Sequence, residues 1–164
     1  EQFDRIVSIE MIEAVGRGNV PRFFQAVNHR LVDGGIFGLQ VITGDMLSRT
    51  SNRRMDQFVL WLLKYIFPDG YLPLPSELTE LRGTQLQIED WHRFSADYDR
   101  TLMSWAERFN NGWEDLRDRH GDRFRRQWNF YLHGCAAAFR SGLIDVQQII
   151  YTKHGRSTRY RSVR

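Results

Sequence analysis

The segment RIVSIEMIEAVGRGNVPRFFQAVNHRLVDGGIFGLQVI, residues 5–42, decides the fold. It opens on a short apolar run, "DRIVSI", of the kind that forms a strand buried on both faces in a parallel sheet. Asn19 or a neighbour can cap a helix whose first turn accommodates Pro21. Val20, Phe23, Phe24, Val27 and Leu31 then recur at helical spacing, and "DGG" at 33–35 predicts the stop. "IFGLQVI" follows as a second apolar strand. This order makes a βαβ unit with a right-handed crossover, with Ile6–Ile9 and Ile36–Val41 as adjacent parallel strands. Between the first strand and the helix stand two acids, Glu10 and Glu13, among Met, Ile, Ala and Val. A carboxylate in apolar surroundings is costly unless it is paired, hydrogen-bonded or protonated. On this stretch alone the strand ends at Ile9 and both acids face water, with Glu10 a first-turn acid favoured by the helix dipole.

Working outward, "GDMLSRTSNRR" reads as a loop and "MDQFVLWLLKYIF" as a helix ended by Pro68. A turn-rich link leads into a short helix near Ser76, and "LQIEDWHRF" alternates as a strand. Two long helices are predicted near 98–118 and 122–141, with "RHGDR" as the break. Tyr98, Leu102, Trp105, Phe109 and Leu116 mark one face of the first; Phe124, Trp128, Tyr131, Cys135 and Ala138 mark one face of the second. "GLIDVQQIIYTK" closes as a strand. The expected fold is α/β, residues 1–164 forming a single domain with a helical elaboration after the second strand. In such a sheet ligands gather beyond the carboxyl ends of the strands. Glu13 lies just past the first strand and "QVIT", 40–43, ends the second, so Glu13 and the backbone from Gln40 to Ile42 converge. That makes Glu13 a pocket candidate.

The chain has 164 residues, 41% hydrophobic and 13% aromatic, enough for one ordinary core. Its net charge of +3 describes a mixed surface, with cations concentrated in the final "KHGRSTRYRSVR", which reads as a solvated terminus. The single cysteine, Cys135, excludes an internal disulfide and suits a reducing compartment. No apolar run approaches the roughly 20 residues of a membrane span. There is no glycine-rich phosphate loop, no GxSxG elbow, no metal-ligand spacing among the five histidines and no nucleic-acid-reading motif.

Four stretches, "RIVSIEMIEAVG", "KYIFPDGYLP", "EDWHRFSADYDRTLMSWAERF" and "RRQWNFYLHGCAAAFRSG", resemble the C-terminal half of cyclopropane-fatty-acyl-phospholipid synthases and their mycolic-acid relatives. The likeness runs across nearly the whole chain and is weakest at 43–63. It implies the C-terminal part of a Rossmann-like methyltransferase dependent on S-adenosylmethionine (SAM), with the SAM-binding strands ahead of Glu1. The activity it implies is addition of a methylene across a cis double bond in a membrane phospholipid acyl chain. The alkene attacks the sulfonium methyl, and a base then removes a proton so that the ring closes. In the family that base is a bound bicarbonate; carried over, its holders are Glu13, Gln40, Ile42 and Tyr98. Relatives often have His where this chain has Gln40, which cannot titrate. Ile9 matches a position packing on the SAM adenine, and Cys135 matches a Cys marked as active, although by its helical face alone it is a small core residue. Tyr98 by its face alone likewise begins a core stripe.

The resemblance further implies a cytoplasmic enzyme peripheral to the membrane, with a homodimer among its forms and no nucleic-acid partner. Three alternatives remain open, one of them lipid methylation without ring closure, which the sequence does not separate from cyclopropanation. Related N-methyltransferases of small amines resemble "SIEMIE", though they usually have His at the position of Ala14. A truncated, non-catalytic lipid- or protein-binding chain is the third, since residues 1–164 by themselves supply one wall of a cofactor site. On that count the isolated chain is expected to bind SAM weakly or not at all.

Overall fold

The structure, a computed structural model, describes residues 1–44, 53–154 and 160–162. Strands β1 (Phe3–Ile9) and β2 (Leu31–Gly44) run parallel, with Ile6 opposite Phe37, Ser8 opposite Leu39 and Ile9 opposite Gln40. The crossover helix α1 (Val20–Arg30) carries Pro21 in its first turn, where a missing N–H costs nothing. It ends earlier than "DGG" predicts, because Leu31 is already extended. The glycines instead lie inside β2, Gly34 at a φ of +76°. There the ladder steps from Phe3 opposite Leu31 to Arg5 opposite Ile36, so the pair bends a strand rather than stopping a helix.

Strands β3 (Leu86–Arg93) and β4 (Ile144–Lys153) complete one sheet in the order β1-β2-β4-β3, with β4 antiparallel to both neighbours. Helices α2 (Arg53–Tyr65) and α3 (Pro75–Thr79) follow β2; α4 (Ser95–Asn111) and α5 (Trp113–Arg140) follow β3. The predicted helix over 98–118 is thus two pieces. The chain turns at Gly112 so that Trp113 can enter the interior, and α5 begins there. The break predicted at "RHGDR" falls on Gly121, whose φ of +69° and ψ of 164° interrupt α5. Trp105, expected on the core face of α4, is exposed; Leu102 and Ala106 are the buried residues of that helix.

The core divides between the two faces of the sheet. Phe37, Leu39 and Val41 of β2 and Ile149 and Tyr151 of β4 pack with Phe24 and Val27 of α1. On the other face Ile144 and Val146 meet Leu102, Ala106, Leu132 and Phe139 of α4 and α5, with Ile42 alongside. β1 departs from the expectation of burial on both faces. Val7 and Ile9 are 69% and 62% exposed, because among the described residues β1 is an edge and nothing covers its second face. Lys153, which the predicted closing strand shares with the basic end, is the last residue of β4 and is buried rather than solvated. Its Nζ lies 3.0 Å from the Leu31 carbonyl and 3.1 Å from Asp33. Residues 45–52 of the predicted loop, and 155–159 and 163–164 of the basic end, lie outside the described residues.

Past β1 a single turn of 3₁₀ helix, Ile12–Ala14, places Ile12 in the α1-side core, fully buried against Phe24 and Leu39 among others. Ile12→Ala should therefore lower stability by about 2–5 kcal/mol, the range for a truncated buried aliphatic. Chemical denaturation with an unchanged m-value is the expected readout.

Candidate active site

The parallel ladder runs one residue past β1: the Glu10 N–H donates to the Gln40 carbonyl at 3.0 Å. Glu10 then takes a φ of +48°, the left-handed region disfavoured for a residue with a Cβ. This turn sends Ile12 into the core and returns Glu13 to the end of β2. The Ile42 N–H donates to Glu13 Oε1 at 2.6 Å, and the Glu13 carbonyl accepts from the Tyr71 N–H at 2.9 Å. The convergence of Glu13 with the 40–42 backbone therefore has the geometry read from sequence.

Glu13 Oε2 is buried without a hydrogen-bond partner among the described residues. Burial pushes the Glu13 carboxyl above the ordinary carboxylate range, the Ile42 N–H opposes that rise, and the nearby charge of Glu10 adds to it. A carboxyl so placed is fit to hold or share a proton.

Tyr98 does not meet Glu13. Its hydroxyl donates to Glu10, 2.8 Å from Oε1 and 2.7 Å from Oε2. Gln40 Nε2 donates to Glu10 Oε1 at 2.9 Å, and Gln40 Oε1 accepts from Gln148 Nε2 at 2.9 Å. Glu10, read from sequence as a solvent-facing first-turn acid, is half-buried and is the centre of this network. The spacing of two acids in "SIEMIE" was its signal. The left-handed turn that carries Glu10 inward has no signature in a sequence with no glycine at that point. Burial, followed by the Glu10 hydrogen bond, drives the Tyr98 hydroxyl well above its usual value, so it is a donor only.

Behind Tyr98 the wall is aromatic. Its ring lies 4.9 Å from Phe139 and 6.4 Å from Trp105 between centroids. Tyr131 and Cys135, one turn apart on α5, join the same cluster. Burial raises Tyr131 to about 12, with Cys135 and Glu10 adding to the rise, and burial alone raises the Cys135 thiol to about 12. A thiol held neutral in this way packs rather than attacks. Tyr131 and Gln148 were missed by sequence reasoning because only the tertiary fold brings them here. Ile9, at the carboxyl end of β1, is exposed beside this site, as is Met11. Both offer apolar surface where ligands of parallel sheets bind.

Of the four expected holders of a bicarbonate, Gln40, Ile42 and Tyr98 have donors engaged within the chain, and Glu13 Oε2 alone is left without a partner among the described residues. The single Ile42 N–H is engaged by Glu13, the single Tyr98 proton by Glu10, and the Gln40 amide is also held on Glu10.

The profile of the family described as mycolic acid cyclopropane synthetase matches residues 1–149. Cyclopropane-fatty-acyl-phospholipid synthase of Escherichia coli K12 is 40% identical over 153 residues, covering 93% of this chain and 38% of that protein. Tuberculostearic acid methyltransferase of Mycobacterium tuberculosis is 37% identical over 157 residues, covering 94% of this chain and 36% of that protein. The chain thus spans little more than a third of the length of these curated relatives. A solved cyclopropane synthase from Mycobacterium tuberculosis superposes with a TM-score of 0.88 at 28% identity, covering 93% of this chain and 56% of that one. A mycolic acid cyclopropane synthase complexed with SAH and CTAB gives 0.87 at 27%, with the same coverage.

Two measurements test the geometry. A raised Glu13 carboxyl contributes stability that is complete below the unfolded carboxyl pKa, near 4.5, and is lost as pH rises through the folded value. Glu13→Gln keeps an acceptor for the Ile42 N–H and cannot ionise. Its melting temperature relative to the parent should therefore climb between about pH 4 and pH 8. Separately, a double-mutant cycle of Tyr98→Phe with Glu10→Ala, which removes the acceptor, should show coupling of about 0.5–3 kcal/mol, the range for a side-chain hydrogen bond. Strict additivity would separate the two side chains.

Proposed function

The chain belongs to the mycolic acid cyclopropane synthetase family, and we propose that the protein carrying it transfers a methylene group from SAM across a cis double bond of an unsaturated phospholipid acyl chain. The fold is α/β, of the Rossmann-like methyltransferase kind. The observation that carries the proposal is the pair of carboxyls, Glu10 and Glu13, at the end of the parallel strand pair beside an aromatic and aliphatic wall. Ring closure passes through a carbocation on the acyl chain, which water would quench. The site must therefore be dry and still contain a proton acceptor. A pair of hydrogen-bonded carboxyls against Tyr98, Tyr131 and Phe139 meets both demands.

SAM supplies the electrophilic methyl group. Exposed, apolar Ile9 and Met11 suit one wall of its site, and SAM, having no phosphate, calls for no phosphate loop. The proton released on ring closure goes to a carboxyl of this chain. Glu13, fixed by the Ile42 N–H and with its second oxygen unpartnered, orients the acid–base pair. Tyr98 and Gln40 hold Glu10 in one rotamer.

Membrane access rests on a separate patch. Among the described residues no helix is long and apolar enough to cross a bilayer. Leu60 and Tyr65 of α2, Phe67 after it and Phe130 of α5 are exposed apolar side chains, and Lys64 adds a cation beside them. This patch suits peripheral contact with a lipid surface. A second reading, methyl transfer without ring closure or to a small amine, is favoured only by the same paired acids, which could hold a cation.

Product analysis decides. Full-length protein, SAM and vesicles of monounsaturated phospholipid should yield acyl chains heavier by one methylene and lacking the alkene, by mass spectrometry and proton NMR. A methyl branch, or methylated amine alone, would replace the ring-forming reading. Cys135→Ser should retain most of the turnover, because the parent thiol is neutral and only packs; a loss of 100-fold or more, about what removing an acid–base group costs, would restore it to the chemistry.

A further inference from the structure

We infer that Glu10 is the general base of this protein, its own carboxyl standing where a separate bicarbonate would otherwise be held. The inference rests on the proposed ring-forming reaction and concerns which group takes the proton. A side-chain carboxylate and a bicarbonate present the same planar pair of oxygens, so one set of donors recognises either. Here the donors are filled from within the chain. The Tyr98 hydroxyl bridges both Glu10 oxygens, at 2.8 and 2.7 Å, and Gln40 Nε2 adds a third contact at 2.9 Å. Gln148 braces Gln40 from behind at 2.9 Å.

The backbone makes the same point independently. At a φ of +48°, position 10 suits glycine, and any side chain there is disfavoured. A disfavoured conformation held in place by a full set of hydrogen bonds is characteristic of functional positions. Glu13 is not the better base, because its Oε2 is buried without a donor and burial together with the nearby Glu10 favours its protonated form. It serves instead as a positioning residue beside Glu10.

The step balances without any added reactant. One alkene carbon bonds the methyl carbon of SAM as the carbon–sulfur bond breaks, its electron pair remaining on sulfur. Glu10 then takes a proton from that transferred carbon. The freed C–H pair forms the second carbon–carbon bond, the positive charge on the acyl chain disappears, and Glu10 is left as the neutral acid. It returns the proton to solvent after the product leaves.

The test uses full-length protein with monounsaturated phospholipid vesicles in buffer stripped of carbon dioxide, together with 13C-bicarbonate NMR. The unaltered protein should turn over equally with and without bicarbonate and should not broaden the 13C signal. Glu10→Gly, which relaxes the backbone, should keep its melting temperature and lose about 100-fold in kcat, the usual contribution of a general base. Bicarbonate or formate should restore part of that loss, and the labelled bicarbonate should now bind. Glu10→Gln fills the seat with a group that cannot accept the proton, so it should lose as much and not be restored. The inference is overturned if the unaltered protein needs or binds bicarbonate, or if Glu10→Gly stays active without an added anion or binds none. Should Glu10→Gly fail to fold, Glu10→Gln and the carbonate response of the unaltered protein decide. If the unaltered protein forms no ring, the proposed function falls, while the comparison of bicarbonate binding still decides who occupies the seat.

Discussion

One backbone contact, the Glu10 N–H on the Gln40 carbonyl, sets the geometry that the rest of the site depends on. It extends the parallel ladder by one residue beyond β1 and so fixes where the chain must leave the sheet. The exit is a left-handed residue, and the next turn is 3₁₀ rather than α. Those two facts determine which of three neighbouring side chains go where. Ile12 faces the α1 core, while Glu10 and Glu13 serve the opposite end of the strand pair. A regular helix beginning at Glu10 would have put its acids on a helical surface, facing water. The irregular exit holds both beside Gln40 and Ile42.

Much of this fold was legible because it depends on periodicity. The βαβ unit, its parallel strand pair, the closing strand and the break at Gly121 all follow from apolar spacing and glycine placement. What periodicity does not encode is which edge of the sheet stays open. "DRIVSI" has the composition of a strand covered twice, yet Val7 and Ile9 are bare among the described residues. Their apolar character belongs to whatever surface meets them. The split of the first long helix at Gly112 was likewise hidden. Phe109, Trp113 and Leu116 keep an apolar face through the joint, and only the burial of Trp113 reveals the turn.

The candidate site was legible only in part, because Glu10, the centre of its hydrogen bonds, was read as an acid facing water. Glu13, Gln40, Ile42 and Tyr98 do converge on the end of the parallel strands. The resemblance could supply their identities as holders of one bicarbonate, but not that the Tyr98 hydroxyl would donate to Glu10. That pairing depends on φ at one residue, and a single sequence carries no dihedral angles. Cys135 illustrates the opposite case. Its helical face predicted a packed thiol, and burial that raises it to about 12 agrees with packing.

Two carboxyls this close pose an electrostatic problem, the more so beside the cation of the proposed reaction, and their partners are unequal. Like charges in a low-dielectric site cannot both ionise freely, so their environments must differ. Glu10 accepts from Tyr98 and Gln40, so both of its oxygens have donors. Glu13 accepts from one N–H and leaves its second oxygen buried without a partner, and burial together with the Glu10 charge pushes it toward the protonated form. The two carboxyls are thereby unequal before any substrate arrives, with Glu13 the one pushed toward holding a proton. Tyr98 reinforces the division, because a hydroxyl with so high a pKa gives a hydrogen bond without surrendering its proton. A water-excluding site can then contain a base at a tolerable electrostatic cost, since only one of its two acids needs to carry charge.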